Sequence, residues 1–119
     1  MESDPIRGKR IEWTFIDGPF AGRSFEHSFK ADGTLEFRML DAGGQGRPTK
    51  VARYEAATVG AGVHAVSYLG PSGYALTVVL DFRSGNLVAF ASNEKELSMQ
   101  RGAFKEVAAH GEARAAHPG

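Results

Sequence analysis

The sequence predicts an all-β protein, an antiparallel meander of about eight strands that closes into a barrel with an internal pocket. Short runs of alternating apolar and polar residues indicate strands with one buried face. Turn-forming stretches such as Asp32-Gly33 and Gly70-Pro71-Ser72-Gly73 separate these runs and favour hairpins between sequence neighbours. No connection has the length and pattern of a crossover helix, so antiparallel pairing is favoured, and closure would remove both unpaired edges.

The first three strands are predicted over Arg10–Ile16, Arg23–Lys30 and Thr34–Leu40. In each of them every second residue is apolar or aromatic, so one face is expected to point into the barrel. His27 is the exception, an imidazole within an aromatic face. The three inward sets are Ile11, Trp13 and Phe15; Phe25, His27 and Phe29; and Leu35, Phe37 and Met39.

The fourth and fifth strands are predicted over Lys50–Thr58 and Gly62–Leu69. In the fifth, the odd-numbered residues from Val63 onward and the even-numbered residues from His64 onward suit the core face equally well. The alternation by itself therefore leaves both orientations of this strand open.

The last three strands are predicted over Tyr74–Phe82, Asn86–Ser92 and Leu97–Val107. The first of these has the clearest inward stripe, with an apolar or aromatic residue at every even-numbered position. The second has small inward alanines, which leave room for a cavity between the large aromatic side chains. The third is expected to bend or break at Gly102.

A chain of 119 residues is expected to form one domain. The predicted barrel domain spans residues 8–108. A lead-in over residues 1–7 precedes it, and residues 109–119, which have little apolar content, are predicted to be a disordered tail. The Gly-rich stretch DAGGQGRPT at residues 41–49 is expected to form a loop at the mouth of the barrel or a lid over it.

The amino-acid composition excludes several classes of function. Fourteen basic and fourteen acidic side chains leave no positive excess for phosphates, so nucleic acid is not an expected partner. Cys is absent, which excludes disulfides, iron–sulfur clusters and cysteine nucleophiles. No stretch has the roughly 20 apolar residues of a membrane span, and the N-terminus has no apolar signal segment, so a cytoplasmic protein without a membrane partner is expected.

Three stretches resemble the MoaF-like proteins: GKRIEWTFIDG at residues 8–18, DGTLEFR at residues 32–38 and the long run from Tyr54 to Phe90. The chain is more distantly similar to the phenolic acid decarboxylases, which are lipocalin-like barrels of the calycin type. The similarity extends over residues 8–105. It implies a flattened barrel with a pocket, and it implies that His64, Val66 and Tyr68 face inward.

The decarboxylase resemblance also allows a comparison of chemistry. In that family two tyrosines on the first strand, an arginine before the fourth and a glutamate after the fifth act on the hydroxycinnamate. The matching positions here are Trp13, Phe15, Arg47 and Gly70, so only the arginine is retained. Because the hydroxyls that hold a carboxylate and the carboxyl group that transfers a proton are absent, the resemblance favours a binding protein over a decarboxylase.

The candidate ligand site combines inward aromatic and histidine side chains with one loop arginine. A flat, partly apolar ligand would fit such walls, and Arg47 at the mouth would suit an anionic group. Two inward histidines without an inward carboxylate fall short of the usual three-ligand metal site, so neither a metal nor another cofactor is expected. The candidate residues are Trp13, Phe15, His27, Arg47, Tyr54, His64, Tyr68 and Tyr74.

Three functions remain open at this point. The leading one is a small-molecule-binding barrel with an aromatic or partly apolar ligand. The second is a lyase or isomerase of the decarboxylase type in which His27 or His64 has become the acid or base. The third is a structural or assembly module, most simply a homodimer joined through an outer barrel face or a strand edge.

Overall fold

The computed structural model describes residues 4–40, 48–70 and 73–107. These residues form one nine-stranded antiparallel sheet, and none of them lies in a helix. A strand is present at each of the eight predicted positions, and the fourth position holds two. The strands are β1 (Arg10–Phe15), β2 (Ser24–Phe29), β3 (Leu35–Met39), β4 (Thr49–Val51), β5 (Glu55–Gly60), β6 (Val63–Leu69), β7 (Ala75–Asp81), β8 (Asn86–Ser92) and β9 (Leu97–Val107).

The additional strand arises from a bend at residues 52–54, between β4 and β5. There Tyr54 leaves the strand and buries its ring against Phe29, with the ring centroids 5.0 Å apart in an edge-to-face contact. β4 consequently pairs only with β3, and β5 only with β6. The single predicted strand Lys50–Thr58 is therefore wrong, because the inward turn of one aromatic residue interrupts it.

The sheet is an open half-barrel. Its spatial order is β4-β3-β2-β1-β9-β8-β7-β6-β5, so the last strand returns to pair with the first, from Arg10–Val107 to Phe15–Gly102. The two ends of this order, β4 and β5, are edges that do not pair with each other. The predicted closure is not confirmed: β4 has only three residues, and the bend after it carries the chain across the opening without forming a ladder.

β9 runs unbroken through Gly102, where the sequence predicts a bend or break. Gly102 lies opposite Phe15 in β1. A Cβ atom at this position would come within 2.3 Å of the Thr14 carbonyl oxygen. The glycine is therefore needed for the close approach of β1 and β9, the pair that joins the two ends of the meander.

The hydrophobic core fills one end of the concave face. Ile11, Phe29 and Leu35 are buried there together with Tyr54. The core extends to Ile6, which precedes the predicted start of the domain and is also fully buried. On β6 the even-numbered residues Val66 and Tyr68 are buried, which is the orientation that the family resemblance implies. Among the described residues, no helix has the length and apolar character needed to cross a membrane.

Candidate functional site

A pocket occupies the opposite end of the concave face from the core. Its volume is ≈ 870 Å³, which falls in the range of about 300–1,000 Å³ typical of small-molecule sites. The pocket is a half-open cleft, and the predicted internal pocket of a closed barrel is not confirmed. The apolar side chains that line it are Trp13, Phe15, Pro19, Phe20, Phe25, Phe37, Met39, Leu76, Ala91 and Leu97.

A stack of three rings on adjacent strands forms one wall. The His27 imidazole lies 3.9 Å from the Trp13 ring centroid, with 23° between the planes. On the other neighbouring strand, Phe37 stacks on the same imidazole at 5.3 Å and 17°. These two contacts hold the imidazole in one orientation and place the indole beside the pocket, so Trp13 fluorescence is a natural reporter of events there.

One hydrogen bond crosses the concave space. The His27 Nε2 atom and the Tyr68 hydroxyl are 2.8 Å apart, and both residues are buried. β2 and β6, which hold these residues, lie well apart in the strand order. Among the described residues, the other ring nitrogen, Nδ1, has no hydrogen-bond partner. Whichever tautomer is present, this pair keeps unused hydrogen-bonding capacity.

The polar pair is uncharged near neutral pH. Burial lowers the pKa of His27 to about 3, and burial raises the pKa of the Tyr68 hydroxyl. Both shifts follow from the cost of a charge in an apolar surrounding that offers no counter-ion. The inner end of the pocket is therefore polar but neutral.

Charged side chains lie at the mouth. Of the described residues that line the pocket, the charged ones are Lys95 and Glu96, in the turn before β9, and both are exposed. The Tyr74 hydroxyl donates a hydrogen bond to the Glu96 carboxylate, and this bond raises the pKa of Tyr74. The pocket thus changes from charged and wet at its rim to neutral at its inner end.

The turn between β1 and β2 is held against the pocket by Gln100. Its Oε1 atom accepts a hydrogen bond of 2.9 Å from the Phe20 backbone N–H. Gly18 lies directly on the same side chain with φ = +82°, and a Cβ there would come within 2.6 Å of Gln100 Cγ. Because this position needs both a left-handed backbone and no side chain, glycine suits it and lets Phe20 reach the pocket.

The family assignment agrees with this architecture. The model of the MoaF N-terminal domain matches residues 1–96, which is most of the chain. The chain belongs to the MoaF family. No curated protein matches this MoaF sequence significantly.

Solved structures support the fold of the MoaF chain. Fifteen chains of known structure match it significantly. One is a crystal structure from Burkholderia vietnamiensis, described as that of "a putative beta-lactamase", with a TM-score of 0.73 and 17% sequence identity. The match covers 90% of the MoaF chain and 100% of the other chain. At this identity the likeness shows the fold alone.

Five of the eight predicted site residues line the pocket of the MoaF protein: Trp13, Phe15, His27, Tyr68 and Tyr74. Tyr54 instead belongs to the packed end, where burial and the nearby Asp4 carboxylate raise its pKa. His64 lies outside the pocket walls, with Nδ1 3.0 Å from the Thr58 hydroxyl and its ring against Phe82. Arg47 lies outside the described residues. In the described part of the MoaF chain, no group of three or more His, Asp or Glu side chains could hold a metal ion.

Several pocket residues were not assigned to the site from the sequence. Phe25, Phe37 and Leu76 were expected to face inward, but nothing in the sequence indicates which end of the strand borders an opening. Gln100 is buried on β9, and its position two residues before Gly102 on the same face is the signal that could have identified it. Glu96 carries no signal, because its contact with Tyr74 depends on how the turn before β9 folds over the pocket.

Proposed function

We propose that this MoaF protein binds a small, flat, mainly apolar molecule in the pocket, with an uncharged polar group of the ligand directed to His27 and Tyr68. The observation that carries the proposal is an aromatic cleft with one neutral hydrogen-bonding pair at its inner end. Aromatic walls suit a flat ligand, and a few placed polar groups are what orient a ligand in such sites.

The unused hydrogen-bonding capacity of the pair supports a polar group on the ligand. His27 Nδ1 is buried and has no partner in the described part of the chain. An unpaired buried polar group costs about 1–3 kcal/mol, so a ligand or a solvent molecule that reaches the pair is favoured. An alcohol, phenol or carbonyl oxygen would satisfy it without bringing a charge.

A charged group of the ligand is expected at the mouth. A carboxylate beside His27 would meet a neutral imidazole and a neutral phenol, so it would lose hydration without gaining a counter-ion. Lys95 is at the rim, and Arg47, in the loop predicted at the mouth, remains the sequence-based candidate for an anionic group. An amphipathic ligand would therefore bind with its apolar end inward.

The acid–base alternative finds little support at His27. A base whose conjugate acid has a pKa of about 3 takes up a proton poorly near neutral pH, and it supplies almost no imidazolium to act as an acid. His64 lies outside the pocket walls. Binding without turnover is the function that these two positions favour.

A ring-matched pair of probes tests the proposal. Naphthalenemethanol and naphthoate share one aromatic system and differ in charge, and calorimetry with Trp13 fluorescence as a second readout would measure both. We expect saturable binding of the alcohol and at least about tenfold weaker binding of the carboxylate, the equivalent of 1.4 kcal/mol. The absence of saturable binding of any aromatic probe to the folded protein would overturn the proposal.

Two tyrosine variants separate the pocket from the core. Tyr68→Phe removes the hydroxyl at the inner end and should weaken binding of the alcohol severalfold. Tyr54→Phe removes a buried hydroxyl from the packed end and should leave the affinity unchanged. If naphthoate binds more tightly than the alcohol and Arg47→Ala removes that preference, the anionic group is recognised at the mouth and the neutral-ligand assignment is wrong.

A further inference from the structure

The outer surface of the sheet divides into a charged half and an apolar half. Outward side chains on β1 to β3 are polar and include paired charges: Glu26 accepts from Arg10 and Arg38, each at 3.0 Å. Outward side chains on β6 to β9 are mainly apolar or small. We call this second region the apolar outer face and define it by Leu69, Val79, Val88, Phe90, Leu97 and Met99, of which Leu97 also borders the rim of the pocket.

The apolar outer face is continuous over β7 to β9, and Leu69 on β6 is separated from the rest by small side chains. Phe90 and Met99 are direct cross-strand partners, and Val79 and Val88 form the adjacent pair. Leu69, Leu97 and Met99 are exposed to solvent. A patch of several hundred Å² is about the largest that a typical monomer exposes, and such patches are often functional.

Charges near the apolar outer face are already paired elsewhere. Arg101 binds Asp17 at 2.9 Å, and Asp81 lies 3.6 Å from Arg83. The patch therefore offers no charge pattern that selects an oppositely charged partner. A neutral surface of this kind can meet an identical surface without like-charge repulsion.

We propose that the apolar outer face binds a second copy of this chain. A twofold axis parallel to the strands, between β7 and β8, would set β8 over β7 of the second copy and β9 over its β6. Ser67, Thr77, Phe90 and Met99 lie in one cross-strand row. The axis therefore places Phe90 over Thr77 and Met99 over Ser67, so that large side chains meet small ones at both ends of the row.

Two longer segments outside the described residues have no large apolar side chains with which to cover the patch. Residues 108–119 contain no Leu, Ile, Val, Met, Phe, Tyr or Trp, and the same is true of residues 41–47. Neither segment can supply the apolar surface that would exclude water from Phe90 and Met99. The second copy can supply it, because the complementary surface is its own apolar outer face.

The area indicates a reversible dimer. Four strands spaced about 4.8 Å apart, with outward residues repeating about every 6.8 Å along each strand, give a patch of roughly 400 Å² in projection. Two such patches bury about 800 Å², which is below the roughly 1,000 Å² of a stable interface and fits a weak, transient contact. We therefore expect monomer and dimer to exchange in the micromolar concentration range.

Sedimentation equilibrium of the full chain tests the proposal. The wild-type mass should rise from the monomer value at low micromolar concentration towards the dimer value near millimolar concentration. Phe90→Lys should remain monomeric throughout, because each dimer would bury two ammonium groups in an apolar contact. Thr14→Glu, a change at an exposed position on the charged half, should behave as the wild type, and thermal unfolding checks that both variants are folded.

A charge-pair experiment tests the proposed symmetry. Thr77→Glu should be monomeric alone, and mixing it with Phe90→Lys should restore a mixed dimer, because the two positions face each other across the axis. A wild-type chain that stays monomeric at all concentrations would overturn the proposal. A dimer that persists in Phe90→Lys would also overturn it, since the contact would then lie elsewhere, for example at the β5 edge.

Discussion

His27 combines a titratable ring with complete burial, and this combination gives the fold a pH dependence. In the unfolded chain the imidazole binds a proton with a pKa near 6.5, whereas in the folded protein its pKa is about 3. Between these values the unfolded state binds more protons than the folded state. The contribution of His27 to the free energy of unfolding is therefore most favourable above about pH 6.5, and it decreases progressively as the pH falls towards 3.

This pH dependence can be measured by chemical unfolding. We expect the free energy of unfolding to fall by about 1.4 kcal/mol per pH unit between about pH 6 and about pH 4.5. The pKa values of Asp17, Asp32 and Asp81 are lowered, so their contributions are lost only at more acidic pH. His27→Asn should be less stable at neutral pH but should show a much shallower slope in this window.

An unchanged slope in His27→Asn would assign the proton uptake to another group. If the variant fails to fold, the ring resonances of His27 in the wild type provide the same test by nuclear magnetic resonance. They should not titrate between about pH 7 and about pH 4.5, since the folded-state pKa is about 3.

For single residues of the site, the sequence predicts the face of a side chain but not its contact partner. Strand alternation correctly places His27 and Trp13 inward, because a period of two assigns each residue to a face. It cannot assign the partner of His27, because Tyr68 is 41 positions away and meets it across the concave space. Alternation also leaves the face of Tyr68 open, and the family resemblance that turns it inward does not separate it, in the pocket, from Tyr54, in the packed end.

At the scale of elements, the contact of β1 with β9 depends on a glycine. Gly102→Ala would place a Cβ atom 2.3 Å from the Thr14 carbonyl oxygen, and it would push apart the strands that join the first and last parts of the chain. We expect a loss of roughly 2–4 kcal/mol in the free energy of unfolding, as in overpacked or strained sites. Denaturant titration measures this loss.

Gly60→Ala is the matched control for Gly102→Ala. Gly60 also lies in a strand without a left-handed backbone, and the nearest atom to an added Cβ is 3.8 Å away. Gly60→Ala should leave the free energy of unfolding unchanged or raise it slightly, because alanine reduces the conformational freedom of the unfolded chain. Equal losses in the two variants would show that strand glycines in general, and not the β1–β9 approach, set the cost.

The positions of most strands could be predicted from the sequence, because alternation is a local property. The point where β4 ends and β5 begins could not be predicted. From the sequence, Tyr54 continues the alternation of a single strand. In the fold its ring is more favourably placed against Phe29, and that tertiary contact breaks the strand. Gly102 shows the same limit, since a glycine in a strand indicates either a bend or a close approach, and only the paired strand distinguishes them.

At the scale of the whole molecule, the interior has two parts with different packing. The core at one end buries aliphatic and aromatic side chains, and the pocket at the other end remains open. The His27–Tyr68 hydrogen bond links β2 and β6 across this interior. The meander could be predicted from short turns, but the opening could not, because closure depends on whether two strands far apart in the order come into register.

The opening between β4 and β5 predicts a distinct pattern of amide hydrogen exchange. A strand at an edge leaves alternate N–H groups without a ladder partner, whereas a strand with neighbours on both sides pairs them all. In Glu55–Gly60 we therefore expect alternate amides to exchange at close to the unfolded rate. In β8, flanked by β7 and β9, consecutive amides from Val88 to Ala91 should all be protected.

Nuclear magnetic resonance at a concentration where the chain is monomeric resolves the two patterns. Uniform protection along β5, equal to that of β8, would mean that a partner strand closes the barrel in solution and that the pocket is more enclosed than the open half-barrel allows.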